Sequence, residues 1–386
     1  KRAAVKPAAS KRAAVKPAAS KRASSERALV VVSMGCPSGV GPEVTLRAAF
    51  ESDAPATVIV GDRGALEAAA RACGISPKQL ASIRPFDANA PFAAFTSRAT
   101  SSGAAAFTGT AASTNKVQLF EPSAPLAEKD RVWGKPSAAG GLAQLLYVEE
   151  GYRLARQLGV PLVTAPVSKE AIARSGLARA RHFRGHTEWL EEMDGAPYSV
   201  MCFASNRLIT SLVTTHVPLA KVPRLLTAEL VCRSIVELAD LTLRLGHEKP
   251  ILAVSSLNPH AGEAKLLGTE ETKAILPGIE LARRRLGRRV TLIGPFGAET
   301  AYRKGATGVF TGVVAMYHDQ ATIPMKLLDF GGGVNVTQGL GIVRTSVDHG
   351  TAYDIAGRGI ADPRGMREAM RVAGILGRTA RRASMG

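Results

Sequence analysis

The sequence predicts an α/β protein, a two-lobed α/β/α fold with a largely parallel sheet. Short β-rich apolar runs recur between residues 29 and 345, and longer segments of helical period separate them. That alternation is the pattern of strands joined by crossover helices. At 386 residues and 46% hydrophobic, the chain is also long enough to bury one large core or those of two medium lobes.

Residues 1–10 and 11–20 repeat the decapeptide KRAAVKPAAS, and a third copy starts at Lys21 and decays. Residues 1–28 carry nine Lys and Arg against Glu26 alone, one Pro per repeat and no aromatic residue. Such a tail cannot bury enough apolar surface to offset chain entropy and is expected to be disordered. The first strand, 29–33, runs into GCPSGVGPEV, a rigid turn that brings backbone close to a ligand or to another loop. Its glycine spacing is neither a dinucleotide fingerprint nor a phosphate loop. A second strand is expected at 56–60. Residues 87–135, rich in Ala, Ser, Thr and Pro, read as short strands and loops that decorate or join the lobes. A helix is expected at 138–158, then a strand at 160–164 that ends in TAPVSK, then a helix opening at GHTE, 185–188. Further strands at 207–215, 250–257, 289–293, 309–316 and 341–345 are interleaved with helices at 227–245 and 270–286. The catalytic unit is expected to span 29–386, with its active site in the cleft between the lobes.

Composition narrows the function classes. No apolar stretch reaches the roughly 18 residues that cross a bilayer, and 28–33 is too short for a signal-peptide core, so a cytoplasmic location is expected. Cys36, Cys73, Cys202 and Cys232 are too sparse for a disulfide framework and form no CxxC pair. The net charge of +18 invites a nucleic-acid role, yet much of it lies in the tail and in basic runs such as 283–285 that read as helix surface. Weak contact of the tail with nucleic acid, through charge alone, is the reading from another class.

Three of the seven histidines, His216, His260 and His318, lie at or just past the ends of the runs 208–215, 251–257 and 309–316. Ligands bind outside the carboxyl ends of strands in open α/β sheets. The three imidazoles are therefore expected to converge as a divalent-metal site with room left for substrate. At GHTE, His186 and Thr187 stand beside the unpaired N–H groups of a helix start, a place to hold an anion. Alternatively, Thr187 caps that helix, with Glu188 as its first-turn acid. Lys326, Asn335 and Arg344 lie around a Gly-rich turn after His318, and together a Lys, an amide and an Arg can satisfy several phosphate oxygens. In DHGTAYDIAG, Asp354 follows His349 by five residues; its loop can cup adenosine with the carboxylate on the ribose hydroxyls, or Asp354 can cap the following segment.

From residue 29 to about 371 the chain resembles the 4-hydroxythreonine-4-phosphate dehydrogenases of vitamin B6 synthesis, which have an isocitrate/isopropylmalate dehydrogenase-like fold. The matching stretches are, in order, GCPSGVGPE, TAPVSKEAI, GHTE, TTHVPL, NPHAGE, GPFGAET, YHDQATIPMK, VNVTQGLGIVRTS and DHGTAYDIAG. The resemblance implies that His216, His260 and His318 hold one divalent ion (Zn, Mg or Co). It implies that His186 and Thr187 contact the substrate, that Lys326, Asn335 and Arg344 contact its phosphate or neighbouring oxygens, and that His349, Gly350 and Asp354 lie near NAD or NADP. It further implies a homodimer whose active sites lie at the interface, with metal ligands from both subunits. The chain departs from the family pattern at Glu299 and Gly297, where Asp and Pro are usual, and at Cys36 and Ser38, where Asp and Ala are common.

The implied reaction is hydride transfer from C3 of 4-phosphooxy-L-threonine to the nicotinamide, giving a β-keto acid that loses CO2 to leave 3-amino-2-oxopropyl phosphate. Asp319, Lys169 and a metal-bound water are the candidates for taking the hydroxyl proton, with Glu299 a further catalytic candidate. The same machinery suits another phosphorylated hydroxy acid, such as a threonate or erythronate 4-phosphate. Asp354 beside the ribose favours NAD over NADP, because its charge would meet the 2′-phosphate unless a cation such as Arg358 intervenes.

Overall fold

β1 (Leu29–Ser33), LVVVS, is buried along nearly its whole length, as a β-branched run flanked by parallel neighbours must be. The computed structural model that contains it describes residues 28–88 and 116–384. Residues 1–27, which make up almost all of the basic tail, and 89–115 of the Ala/Ser/Thr-rich stretch lie outside the described residues. The remaining strands are β2 (Ala56–Val60), β3 (Arg84–Pro85), β4 (Val117–Phe120), β5 (Leu162–Thr164), β6 (Val200–Ala204), β7 (Ile209–Leu212), β8 (Ile251–Ser255), β9 (Thr291–Phe296), β10 (Gly312–Ala315), β11 (Val334–Gln338) and β12 (Arg344–Val347).

Among the described residues these form one sheet of twelve strands, ordered β3-β4-β2-β1-β5-β12-β11-β6-β7-β10-β8-β9. The sheet is mostly parallel, as the sequence predicts. Its centre is not: β12, β11, β6 and β7 pair antiparallel in succession. Three reversals leave β7, β10 and β8 running opposite to β12, β5 and β1, so the carboxyl ends of the two halves face opposite edges of the sheet. The sequence reading passed over β6 and β11. VMCFA is a five-residue apolar run without the alternation that marks a strand, and VNVTQ carries polar Asn, Thr and Gln in the middle of the sheet.

Helices cover both faces. One face carries Val334, Val336 and Val347 and belongs to the larger core; there the helix Arg364–Ser384 packs on β12, and Thr345 Oγ1 donates to the Ala369 carbonyl at 2.9 Å. The other face carries Met201, Phe203 and Leu212 in a smaller core, closed by Ala321 and Met325 of the helix His318–Leu328. Where β5, β12 and β11 meet, the same face carries polar side chains instead.

The helix Ala138–Leu158 starts where Ser137 accepts from Gly140 N and stops at Gly159 in the left-handed conformation. It packs on the helix Lys169–Ala173 so closely that a Cβ on Gly141 would lie 1.9 Å from the Ala171 carbonyl oxygen. Gly141→Ala must therefore push the Lys169 helix away. It is expected to lower unfolding stability by about 1–3 kcal/mol, the usual cost of overpacking, read from urea denaturation.

Candidate active site

Strand register gathers the polar face. Thr164 ends β5 beside Ser346 of β12, and antiparallel β11 sets Asn335 opposite Ser346 and Thr337 opposite Arg344. Directly paired residues share a face, so all five project to the side that also carries Met201 and Phe203. A cleft of about 230 Å³ opens there, lined by Thr164, Lys169, His186, Ser346, His349 and Gly350 among others.

Arg344 governs the electrostatics of this face. Its side chain is only 2% exposed, yet its partners are hydroxyls: Thr164 Oγ1 at 2.7 Å, Thr337 Oγ1 at 2.9 Å and Thr187 Oγ1 at 3.5 Å. Nε has no partner. Burial pulls its pKa down to about 10, so at neutral pH it remains a cation, with no carboxylate among its hydrogen-bond partners. Thr187 therefore turns toward Arg344, and Gly185, in extended backbone, is the N-cap of the helix His186–Asp194. The capping alternative for Thr187 is thereby replaced.

His186 follows Gly185 into the cleft. Its Nε2 is buried without a partner, and Asn335 Oδ1 is likewise buried and unpaired. Burial, with Arg344 and Lys169 nearby, drives the His186 pKa well below the usual imidazole value despite Glu188. A neutral imidazole results. Glu188 points the other way, toward His216 Nδ1 at 3.4 Å, and that hydrogen bond holds its carboxyl down at about 2. Glu188 thus joins this cleft to a second one of similar size, lined by Thr215, His216, Tyr317, His318 and Asp319. There the His216 and His318 rings lie 5.5 Å apart between centroids, and His318 Nδ1 meets Asp319 Oδ1 at 2.7 Å.

The other expected site residues separate. His260 is exposed on a loop in which six consecutive residues, His260 to Lys265, have positive φ. The two-histidine cleft does not include it, and among the described residues no three His, Cys, Asp or Glu side chains converge to hold an ion. The expected meeting of all three histidines is therefore not made within one chain. β7, β10 and β8 are parallel, so all three histidines do follow strand ends at one edge of the sheet, and it is the positive-φ loop after β8 that carries His260 outside the two-histidine cleft. Lys326 pairs with Asp348 at 3.4 Å, tying the helix His318–Leu328 to the end of β12. His349 and Gly350 border the cleft, whereas Asp354 is exposed in the turn that follows. Glu299 is not brought to the site: it pairs with Arg303 at 2.8 Å on the surface of the helix Ala298–Ala306, which follows the edge strand β9.

Sequence reasoning missed Thr164, Thr337, Ser346 and Asp348, and read Glu188 only as a helix-start acid. The alternation of polar residues in VNVTQ and RTSV was the available signal, because period two puts Asn335 with Thr337 and Arg344 with Ser346.

A family model described as the pyridoxal phosphate biosynthetic protein PdxA matches residues 53–373. The chain belongs to the PdxA family. A 4-hydroxythreonine-4-phosphate dehydrogenase of Desulfosudis oleivorans is 38% identical, over 90% of this chain and 95% of that protein. A D-threonate 4-phosphate dehydrogenase of Cupriavidus necator is 37% identical, over 89% of this chain and 95% of its own length. The crystal structure of a 4-hydroxythreonine-4-phosphate dehydrogenase from Burkholderia phymatum superposes with a TM-score of 0.69 at 31% identity, covering 92% of this chain and 99% of that one. This PdxA chain has, among its described residues, no helix long and apolar enough to cross a membrane.

The lowered His186 pKa sets a titration. An ordinary imidazole protonates near pH 6.5; the His186 ring should still be neutral there. Its ring shifts, followed by NMR as the pH is lowered through that value, are expected to stay flat, and a protonation step at the ordinary position would show that the ring is not held neutral.

Proposed function

We propose that this chain oxidises a phosphorylated hydroxy acid, 4-phosphooxy-L-threonine, with NAD or NADP and a divalent ion, giving a β-keto acid that decarboxylates to 3-amino-2-oxopropyl phosphate in pyridoxal phosphate synthesis. Family membership supports the reaction class, and the observation that carries the substrate class is Arg344. A buried cation satisfied only by hydroxyls favours an arriving anion, since Coulomb attraction is weakly screened there and the guanidinium fork suits a carboxylate or phosphate.

The residues fit the groups the reaction needs. His216 and His318 each present Nδ1 to a carboxylate, the arrangement that orients a metal-binding imidazole and leaves Nε2 free. These two would hold the ion, and the resemblance adds His260 as the third ligand and draws the ligands from both subunits, so that a second copy of the chain completes the site. Ile323, Leu327 and Phe330 recur at i, i+4 and i+7 along and just past the helix that begins at His318, with Leu327 82% and Phe330 77% exposed. Such a stripe beside the site is suited to burial in a homodimer. At Gly350 no atom lies within 4 Å of the place a Cβ would take, so backbone on the cleft border is open to a nucleotide.

When bound, the ion supplies Lewis acidity to the hydroxyl oxygen and the nicotinamide supplies the hydride acceptor. The protein does the rest. Arg344 and the hydroxyls around it hold the anionic end, and neutral His186 offers its free Nε2 to a substrate oxygen. Asp319 is engaged by His318, and Lys169, in the same cleft as His186, is the remaining side-chain candidate for taking the hydroxyl proton, as its neutral amine. The threonate 4-phosphate reading uses the same groups on a substrate without the amine.

Turnover measured on a panel of phosphorylated and unphosphorylated hydroxy acids, with each cofactor and several divalent ions, tests the reading. Reduction of neither NAD nor NADP by any of them would sink it. Arg344→Gln should raise KM for the phosphorylated acid about ten- to a hundredfold, the loss of a charge-assisted hydrogen bond. An equal loss on an unphosphorylated analogue would move Arg344 to the carboxylate or the fold. Phe330→Asp combined with Leu327→Asp is expected to yield monomers by analytical ultracentrifugation and to abolish bound metal; dimers that persist would remove the stripe from the interface.

A further inference from the structure

The GCPSGVGPE turn and the helix it opens, Gly41–Ala49, have no place in the reaction above, although the turn is almost wholly buried. Their contacts converge on one segment. Val40 N donates to the Thr351 carbonyl at 3.0 Å, Cys36 Sγ lies 3.4 Å from Tyr353 Oη, and Glu43 accepts from Gly357 N. One turn further along the helix, Arg47 donates to the Ala361 carbonyl and, at 3.5 Å, to that of Gly359. Gly357 has φ of 82°, and a Cβ there would lie 2.4 Å from the Trp133 ring, so this backbone is pressed between the helix and Trp133.

Glu43 is the member that stands out. It is fully buried on the inner side of its helix, and its Oε2 has no hydrogen-bond partner. A buried carboxylate is costly to keep, and a Glu this close to a helix N-terminus gains only modestly from the dipole. Core packing alone would be served by an apolar side chain.

We propose that Glu43, seconded by Arg47, is a positioning residue for the nucleotide cofactor: it fixes segment 350–361 so that His349 and Gly350 meet the cleft in the shape a nicotinamide nucleotide needs. The first glycine-rich turn is on this account a clamp for the last loop of the site rather than a ligand-binding loop. The inference rests on the cofactor reading above.

The test uses the full chain and reads binding rather than turnover. Affinities for NADH and NADPH come from fluorescence titration, the affinity for 4-phosphooxy-L-threonine comes from calorimetry, and hydrogen–deuterium exchange follows the peptide 350–361. Glu43→Ala is expected to weaken the preferred nucleotide about tenfold, to change acid affinity by less than about twofold, and to speed exchange in 350–361 selectively. Glu43→Gln keeps an accepting oxygen and should recover most of the nucleotide affinity. Should Glu43→Ala not fold, Arg47→Met removes the outer anchor from a less buried position and is expected to weaken the nucleotide about threefold. Unchanged nucleotide affinity in a folded Glu43→Ala or Arg47→Met variant overturns the inference. A parent chain that binds neither nucleotide overturns the cofactor reading and the inference with it.

Discussion

The antiparallel trio at the centre of the sheet is the constraint from which the site follows. A wholly parallel sheet would send every strand end, and every loop histidine, to one edge. Reversal at β11, β6 and β7 divides the chemistry: Thr164, Ser346 and His349 belong to one direction, His216 and His318 to the other. What rejoins them runs across the face of the sheet. Glu188 reaches His216 from the helix that carries His186, and Lys326 reaches Asp348 from the helix that His318 begins.

That face is where the sheet can keep a charge. Arg344 projects from a strand paired on both sides and is almost wholly buried, and its partners are hydroxyls of the neighbouring strands and of Thr187. The hydroxyls of Thr164 and Thr337 satisfy it without neutralising it. Burial first, and then this cation, make protonation of His186 unfavourable, and the low pKa of His186 keeps the cleft from accumulating charge it could not solvate. Glu188, ionised beside His216, completes a gradient from cationic cleft to acidic bridge to imidazole pair.

Much of this was legible as residue type and little of it as arrangement. The strand-end histidines, GHTE, Arg344 and the HG turn stand out in the sequence because each is a chemistry-bearing group beside a β-rich run. Their grouping does not, since it depends on register. Lys326, Asn335 and Arg344 look like one cluster around a glycine-rich turn, yet Lys326 is on a helix with Asp348, while Asn335 and Arg344 stand on adjacent antiparallel strands. Glu299 shows the opposite error, a family position that the fold places in a surface ion pair.

The sequence by itself determined the α/β class, the buried parallel strands on either side of the centre, and the roster of groups able to do the chemistry. These follow from local periodicity and from side-chain functionality, both of which are properties of contiguous residues. Only the tertiary structure decided that β6 and β11 lie at the centre of the sheet, because pairing on both sides is what identifies such short segments as central strands. It alone decided which histidines are neighbours and that Arg344 is buried with only hydroxyls as hydrogen-bond partners, since strand direction and register are set by long-range pairing that no local pattern encodes.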